Sequence, residues 1–308
     1  MERSAIGYPD HRLDARRRFS PVAASGAVDT VTDIAIRIED RTGVLEVGAR
    51  VEIETASGEL AAEVVGVTPG AAICLPFGPL AGVRRGARAA FRSASAAVFP
   101  SNAWLGRVID GRGRPVDGKG PVAAGHVACD LKAAPPPAAL RDRLGAPAEF
   151  GVKALDIFCP ARIGQRLGIF SGSGVGKSAL LAMIARNTAC DVAVIALVGE
   201  RGREVREFIE DSLGPERLAR SVVIVATSDE PAMMRREAVF LAMTVGEYFR
   251  DRDLHVLCLM DSLTRVAADL GVTQPSLYRH VDGIGALRKA MALRARELLV
   301  AALTDAAL

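Results

Sequence analysis

Residues 170–178 read Phe-Ser-Gly-Ser-Gly-Val-Gly-Lys-Ser, and no other stretch of this chain limits its fold so sharply. A turn this rich in glycine, ending in Gly-Lys-Ser between an apolar run and an amphipathic one, is built to hold phosphate. Gly172, Gly174 and Gly176 let the backbone curl so that several N–H groups meet one anion at the positive end of the following helix. Ser173 and Val175 fill the remaining positions of that cradle. Lys177 reaches toward β- and γ-phosphates, and the Ser178 hydroxyl is suited to ligate Mg²⁺. Ser171 stands where glycine is usual. The flanks fit the motif: Gln165 to Phe170 is predicted as a strand. Ala179 to Asn187 is predicted as a helix with Leu180, Leu181, Met183 and Ile184 on its buried side.

The chain has 308 residues, enough for more than one domain. Its formal net charge of +3 is too small to imply nucleic-acid or membrane binding by itself. The basic cluster Arg16-Arg17-Arg18 reads as part of a solvated tail over residues 1–20. Five cysteines without paired spacing suit reduced thiols rather than disulfides or a zinc site, which points to the cytoplasm. No stretch is apolar for long enough to span a bilayer, and no signal peptide opens the chain.

Residues 21–95 read as all-β. Val51 and Ile53 alternate with polar neighbours, Ala56-Ser57-Gly58 supplies a turn, and Leu60 to Val67 runs back as a second strand. Frequent Gly and Pro fit a small barrel or sandwich. From 104 to 125 the chain is rich in turns, and Ala133-Ala134-Pro135-Pro136-Pro137 is a stiff connector. The rhythm then becomes α/β. Apolar runs at Val192–Val198, Val222–Thr227 and Val256–Met260 suit buried parallel strands. Helical stretches at Arg203–Ser212 and Pro231–Phe249 lie between them, so a parallel sheet covered on both faces is expected over 155–261.

In such sheets ligands sit beyond the carboxyl ends of the strands. Asp261 follows one apolar run and is placed to hold a Mg²⁺-bound water. Glu200 follows another, where a carboxylate can orient or deprotonate an attacking water, and Arg201 can offset phosphate charge. An acidic residue after a strand also serves as a helix N-cap or stays solvated in a loop. The order and spacing after a phosphate loop favour the functional reading. ATP and Mg²⁺ are the expected ligands.

These stretches also carry a family resemblance. Leu105-Gly106-Arg107-Val108-Ile109-Asp110-Gly111-Arg112-Gly113-Arg114-Pro115-Val116-Asp117-Gly118 resembles the linker of rotary ATPase catalytic subunits. Gly164 to Phe170 before the loop, Val198-Gly199-Glu200-Arg201-Gly202-Arg203-Glu204, and Thr227-Ser228-Asp229-Glu230-Pro231 are more selective. Together they resemble the ATPase of the flagellar and type III secretion export apparatus over roughly 21–265. The resemblance implies a barrel domain over 21–95 and a RecA-like nucleotide-binding domain over 96–265. It implies Glu200 as the catalytic carboxylate, Asp261 as the Walker-B acid, and a homo-hexamer in intact relatives. Its implied partners are export-apparatus proteins and export substrates, at the cytoplasmic side of the inner membrane. It also implies further core strands, which are expected to be missing after Arg265, leaving a gap in the sheet and making hydrolysis doubtful.

Residues 266–308 resemble instead the helix-turn-helix of TetR-type transcriptional regulators. Leu270, Val272 and Leu277 would form its core, with Gln274, Ser276, Tyr278 and Arg279 free to meet DNA. A DNA-binding regulator is therefore the alternative function. The two resemblances meet near Thr264–Ala268, and an accidental, nonfunctional gene fusion is preferred to a device combining both activities. The expected architecture is an all-β barrel, an incomplete α/β P-loop domain and a helical tail.

Overall fold

A computed structural model of the chain describes residues 25–93, 96–137, 139, 141–170 and 175–262. Gly172, Ser173 and Gly174 of the phosphate loop lie outside the described residues, as do the tail 1–20 and the helix-turn-helix-like stretch 266–308. The DNA-contact candidates Gln274, Ser276, Tyr278 and Arg279 therefore lie outside them too.

Six antiparallel strands form the first unit: β1 (Ser25–Val31), β2 (Ile36–Glu39), β3 (Arg50–Thr55), β4 (Gly58–Thr68), β5 (Ala71–Pro76) and β6 (Arg88–Ser93). They close in the order β1-β2-β5-β4-β3-β6. Alternation along β3 sends Val51 and Ile53 inward and leaves Arg50, Glu52 and Glu54 on the outer face. Val28, Ile36, Ile38, Ala62, Val64 and Cys74 complete the interior from other strands. Each fully buried Ile or Val contributes about 1.5–3 kcal/mol, and closure leaves no unpaired edge. Burial pushes the Cys74 thiol up to about 12, so it acts as a small apolar side chain.

The second unit is a four-stranded parallel sheet in the order β14-β12-β13-β8. Its strands are β8 (Arg107–Asp110), β12 (Val192–Val198), β13 (Ser221–Ala226) and β14 (Val256–Asp261). Every residue of β12 and β13 is buried, because helices cover both faces. On one face α5 (Ala232–Arg250) sets Leu241, Val245 and Phe249 against Val194, Ala196 and Ile224. On the other, α2 (Lys177–Asn187) and α3 (Gly202–Glu207) set Ala182, Ala185 and Val205 against Ile195, Leu197 and Val223. A π turn over Phe208–Leu213 and α4 (Gly214–Leu218) continue that layer. Two short pairs brace the connections: β7 (Ala97–Val98) with β9 (Cys129–Asp130), and β10 (Pro147–Ala148) with β11 (Ala161–Arg162) around α1 (Lys153–Phe158). Among the described residues, no helix is long and apolar enough to cross a membrane.

Three local expectations are corrected. Residues 165–170 do not form a strand, and Leu167 and Phe170 are left exposed. A strand persists through hydrogen bonds to a neighbour. Among the described residues the sheet ends at β14, with nothing paired on its outer side. Arg107–Asp110, inside the turn-rich stretch, is a strand because Val108 and Ile109 pair in parallel with Val223 and Ile224. Met183 turns outward, and α2 instead buries Leu181, Ala182, Ile184 and Ala185.

The barrel docks on α5 through a buried charged cluster. Glu63 of β4 accepts hydrogen bonds from Lys132 Nζ at 2.7 Å and Arg236 Nη2 at 2.6 Å, and Arg50 lies 3.1 Å away. Arg50 also donates to Glu237 of α5. Glu63 and Glu237 are each 2% exposed, so their charges stand or fall with these partners. Burial alone would raise Glu63, but Lys132, Arg50 and Arg236 outweigh it and hold its carboxyl below the ordinary value. Glu237 has fewer partners, and burial pushes it up. Beside the charges, Phe77 packs with Met233 and Met234 as an apolar patch.

Candidate functional site

The carboxyl ends of the strands meet at one rim. In the register Leu197 stands beside Asp261 and Val198 beside Ala226, so the residues leaving β12, β13 and β14 emerge together. Backbone hydrogen bonds then tie these exits to one another. Gly199 N donates to Ala226 O at 2.7 Å, Ser228 N to Glu200 O at 3.0 Å, and Ser262 N to Val198 O at 3.1 Å. This lacing fixes Glu200 against both the Asp261 exit and the Ser228-Asp229-Glu230-Pro231 loop.

Opposite the rim sits the start of α2. Gly176 caps it with φ 94°, a left-handed conformation that disfavours any side chain, although the space around it is open. The first N–H groups of the helix have no side-chain cap, and its dipole leaves positive charge there. Val175 lies exposed just before the cap. Lys177 turns across the gap, and its ammonium pairs with the buried carboxylate of Asp261. Two residues 84 apart in sequence are thereby joined at one point.

Between these elements lies a cleft of about 290 Å³, lined by Ser178, Leu197, Glu200, Glu204 and Asp261 among others. A hydroxyl and a carboxylate on one wall are hard oxygen donors of the kind Mg²⁺ prefers, and the free N–H groups of α2 suit phosphate oxygens. The residues present therefore fit a magnesium nucleotide. The Glu200 carboxyl hydrogen-bonds Glu204, which together with Arg201 holds Glu204 below its ordinary value. Glu200 thus stands on the cleft wall with its carboxyl held by Glu204, where a carboxyl can orient a water.

The structure thus brings Lys177, Ser178, Glu200 and Asp261 to one cleft. Arg201 does not line it; its side chain is 67% exposed and pairs with Glu204 at 3.7 Å. Glu204 is the site residue that sequence reasoning missed. The signal was present in two glutamates four residues apart at a helix start, a spacing that brings like charges together.

Comparison with known proteins adds to this geometry. Residues 151–271 match the family model described as ATP synthase alpha/beta family, nucleotide-binding domain. The chain is 49% identical over 256 residues to the flagellum-specific ATP synthase of Caulobacter vibrioides, covering 83% of this chain and 58% of that protein. It is 48% identical over 210 residues to the type 3 secretion system ATPase of Xanthomonas euvesicatoria, covering 67% and 46% respectively. Among solved structures, the assembled ATPase EscN of the enteropathogenic E. coli type III secretion system aligns with a TM-score of 0.74 at 36% identity. That alignment covers 89% of this chain and 65% of EscN. The same ATPase has been solved in complex with its central stalk EscO and aligns with a TM-score of 0.73. The chain spans about half the length of the curated relatives it matches. These matches support the flagellar and type III secretion ATPase family, and the six-stranded barrel followed by a nucleotide-binding domain matches the fold of EscN.

Proposed function

We propose that this chain binds and hydrolyses ATP as an export-apparatus ATPase, of the flagellar or type III secretion kind, coupling hydrolysis to the export of protein substrates. The observation that carries the reading is the meeting of Lys177 with Asp261 at the mouth of α2, with Glu200 on the same cleft wall. In the free protein Asp261 neutralises Lys177. With nucleotide bound, the ammonium turns to the β- and γ-phosphate oxygens, which replace the carboxylate as its counter-charge. Gly172, Ser173, Gly174, Val175 and Gly176 are the residues whose sequence suits them to cradle the phosphates. Ser178 and Asp261 would hold Mg²⁺, directly or through water, and the ion when bound offsets phosphate charge. Glu200 orients the attacking water and takes its proton, with Glu204 holding the Glu200 carboxyl in place through their hydrogen bond. Arg201 swings from Glu204 to offset charge on the terminal phosphate.

The proposal extends to a homo-hexamer acting with export-apparatus proteins, cytoplasmic and peripheral to the inner membrane; the likeness to an ATPase solved assembled and with its central stalk supports the assembly part of it. Calorimetric titration with Mg·ATP tests the reading. Saturable, Mg²⁺-dependent binding that Lys177→Ala weakens by at least about 1.4 kcal/mol, a factor of ten, is expected. Absence of binding, or binding indifferent to Lys177→Ala, would overturn it.

A further inference from the structure

Away from the nucleotide cleft, a second hollow of about 210 Å³ lies where the barrel meets the turn after β8. Three arginines line it: Arg50 from β3, Arg92 from β6 and Arg112 from that turn. Two of them are neutralised within the protein. Arg50 pairs with Glu237 and Glu63, and Arg92 pairs with Glu52. Arg112 is different. Among the described residues its guanidinium makes no ion pair and no hydrogen bond; Asp110 and Glu52 reach it only through their charge, and the Phe77 ring lies 5.3 Å away. Burial lowers its pKa, and the nearby charges of Arg114 and Arg50 push the same way.

The side chain is not there by loose reach. Arg112 N donates to Asp110 Oδ1 at 2.8 Å, closing the turn. Gly111 lies so near α5 that a Cβ would sit 2.5 Å from Met234 O and 3.1 Å from Ala238 N. The turn is wedged in place, and the guanidinium is held ready with an unfilled fork of donors. On the same wall, the buried Glu237 keeps one oxygen, Oε2, without a hydrogen-bond partner among the described residues. A half-buried cation lacking an acceptor and a buried carboxylate lacking a donor are both costly. One ligand type answers both: a protonated phosphate offers acceptor oxygens to Arg112 and an O–H to Glu237. A plain carboxylate ion offers acceptors alone.

We propose that this hollow binds a small oxyanion of the phosphate class, with Arg112 as its principal ligand and with Arg50 and Arg92 offsetting the Glu237 and Glu52 carboxylates beside it. Such an ion bridges the barrel to the nucleotide-binding domain without touching the nucleotide cleft. The phosphate loop also takes phosphate, so the test starts from Lys177→Ala protein, full chain, titrated with inorganic phosphate at constant ionic strength. Saturable binding is expected to remain in that background. Adding Arg112→Gln should weaken it by about tenfold or more, as expected for loss of a charged hydrogen-bond donor, with Arg112→Lys between the two. Arg92 is half exposed and outside the core, so Arg92→Gln folds in any case, and it should weaken binding about two- to threefold. Loss of all phosphate binding in Lys177→Ala alone, or equal affinity with and without the Arg112 and Arg92 changes, overturns the proposal.

Discussion

The barrel and the parallel sheet solve the same burial problem in opposite ways. In the barrel each strand has two neighbours, the apolar side chains point to one shared interior, and the ladder closes on itself. The sheet is buried on both faces by helices, and among the described residues it stops at β14 on one side and β8 on the other. Closure uses up every edge and spreads the chain exits over both ends of the barrel. A parallel sheet sends all its carboxyl ends to one rim, where Glu200, Ser228 and Ser262 can be laced together. The chemistry therefore gathers on the sheet, and the barrel contributes charge and apolar surface to its back through Glu63 and Phe77.

Core truncations in the two regions give the largest expected effects. Phe249→Ala removes a fully buried ring between α5 and the sheet and should cost about 3–5 kcal/mol, taking nucleotide binding with it. Ile53→Ala in the barrel should cost about 2–5 kcal/mol and leave the affinity of the remaining folded protein for nucleotide unchanged. Urea unfolding paired with fluorescent-nucleotide titration separates the two; equal loss of affinity would mean that the regions are not distinct.

The charged joint between them is next. Glu63→Gln leaves Arg50, Arg236 and Lys132 short of an anion and should cost about 3–5 kcal/mol, splitting one calorimetric transition into two. The pH dependences of its two acids have opposite signs. Glu63 is held below its ordinary 4.5, so its stabilisation is present above that pH and is lost as pH falls through the folded value. Glu237 is raised above 4.5, so the folded state binds its proton first and stability falls as pH rises from 4.5 through the raised value. Melting temperatures from pH 3 to 8 should show the Glu63→Gln deficit shrinking in acid. The same scan of Glu237→Gln should show a relative gain toward neutral pH.

Within the sheet, Arg107 grips Asp117 through Nε at 2.7 Å and Nη2 at 2.9 Å, holding the Asp117 carboxyl far below its ordinary range. Asp117→Asn should cost about 1.5–3 kcal/mol at pH 7, with the difference from wild type fading below pH 3.8, as a denaturation series against pH would record. The smallest effect belongs to the exposed Arg206–Glu210 pair. Arg206→Ala should stay within about 0.5 kcal/mol by the same measurement.

Legibility in the sequence followed the range of the forces involved. β3 and β4 were readable because alternation at Val51 and Ile53 and the turn at Ala56-Ser57 are local. β12 and β13 were readable as unbroken apolar runs. Arg107–Asp110 was not, because a four-residue edge strand carries too little pattern and owes its form to β13. Residues 165–170 were misread for the converse reason: apolar character alone cannot make a strand where no neighbour among the described residues pairs with it. Motif order pointed to Lys177 and Asp261 separately but not to their ion pair, and Glu63 and Arg236, 173 residues apart, meet only once the barrel is docked.

Hydrogen exchange of the full chain, with and without a saturating non-hydrolysable Mg·ATP analogue, tests the central claim most directly. The account predicts new protection in α2 and around Glu200 and Asp261, with barrel amides in residues 25–93 unchanged. Protection appearing in the barrel while α2 and the strand exits stay unaltered would contradict it.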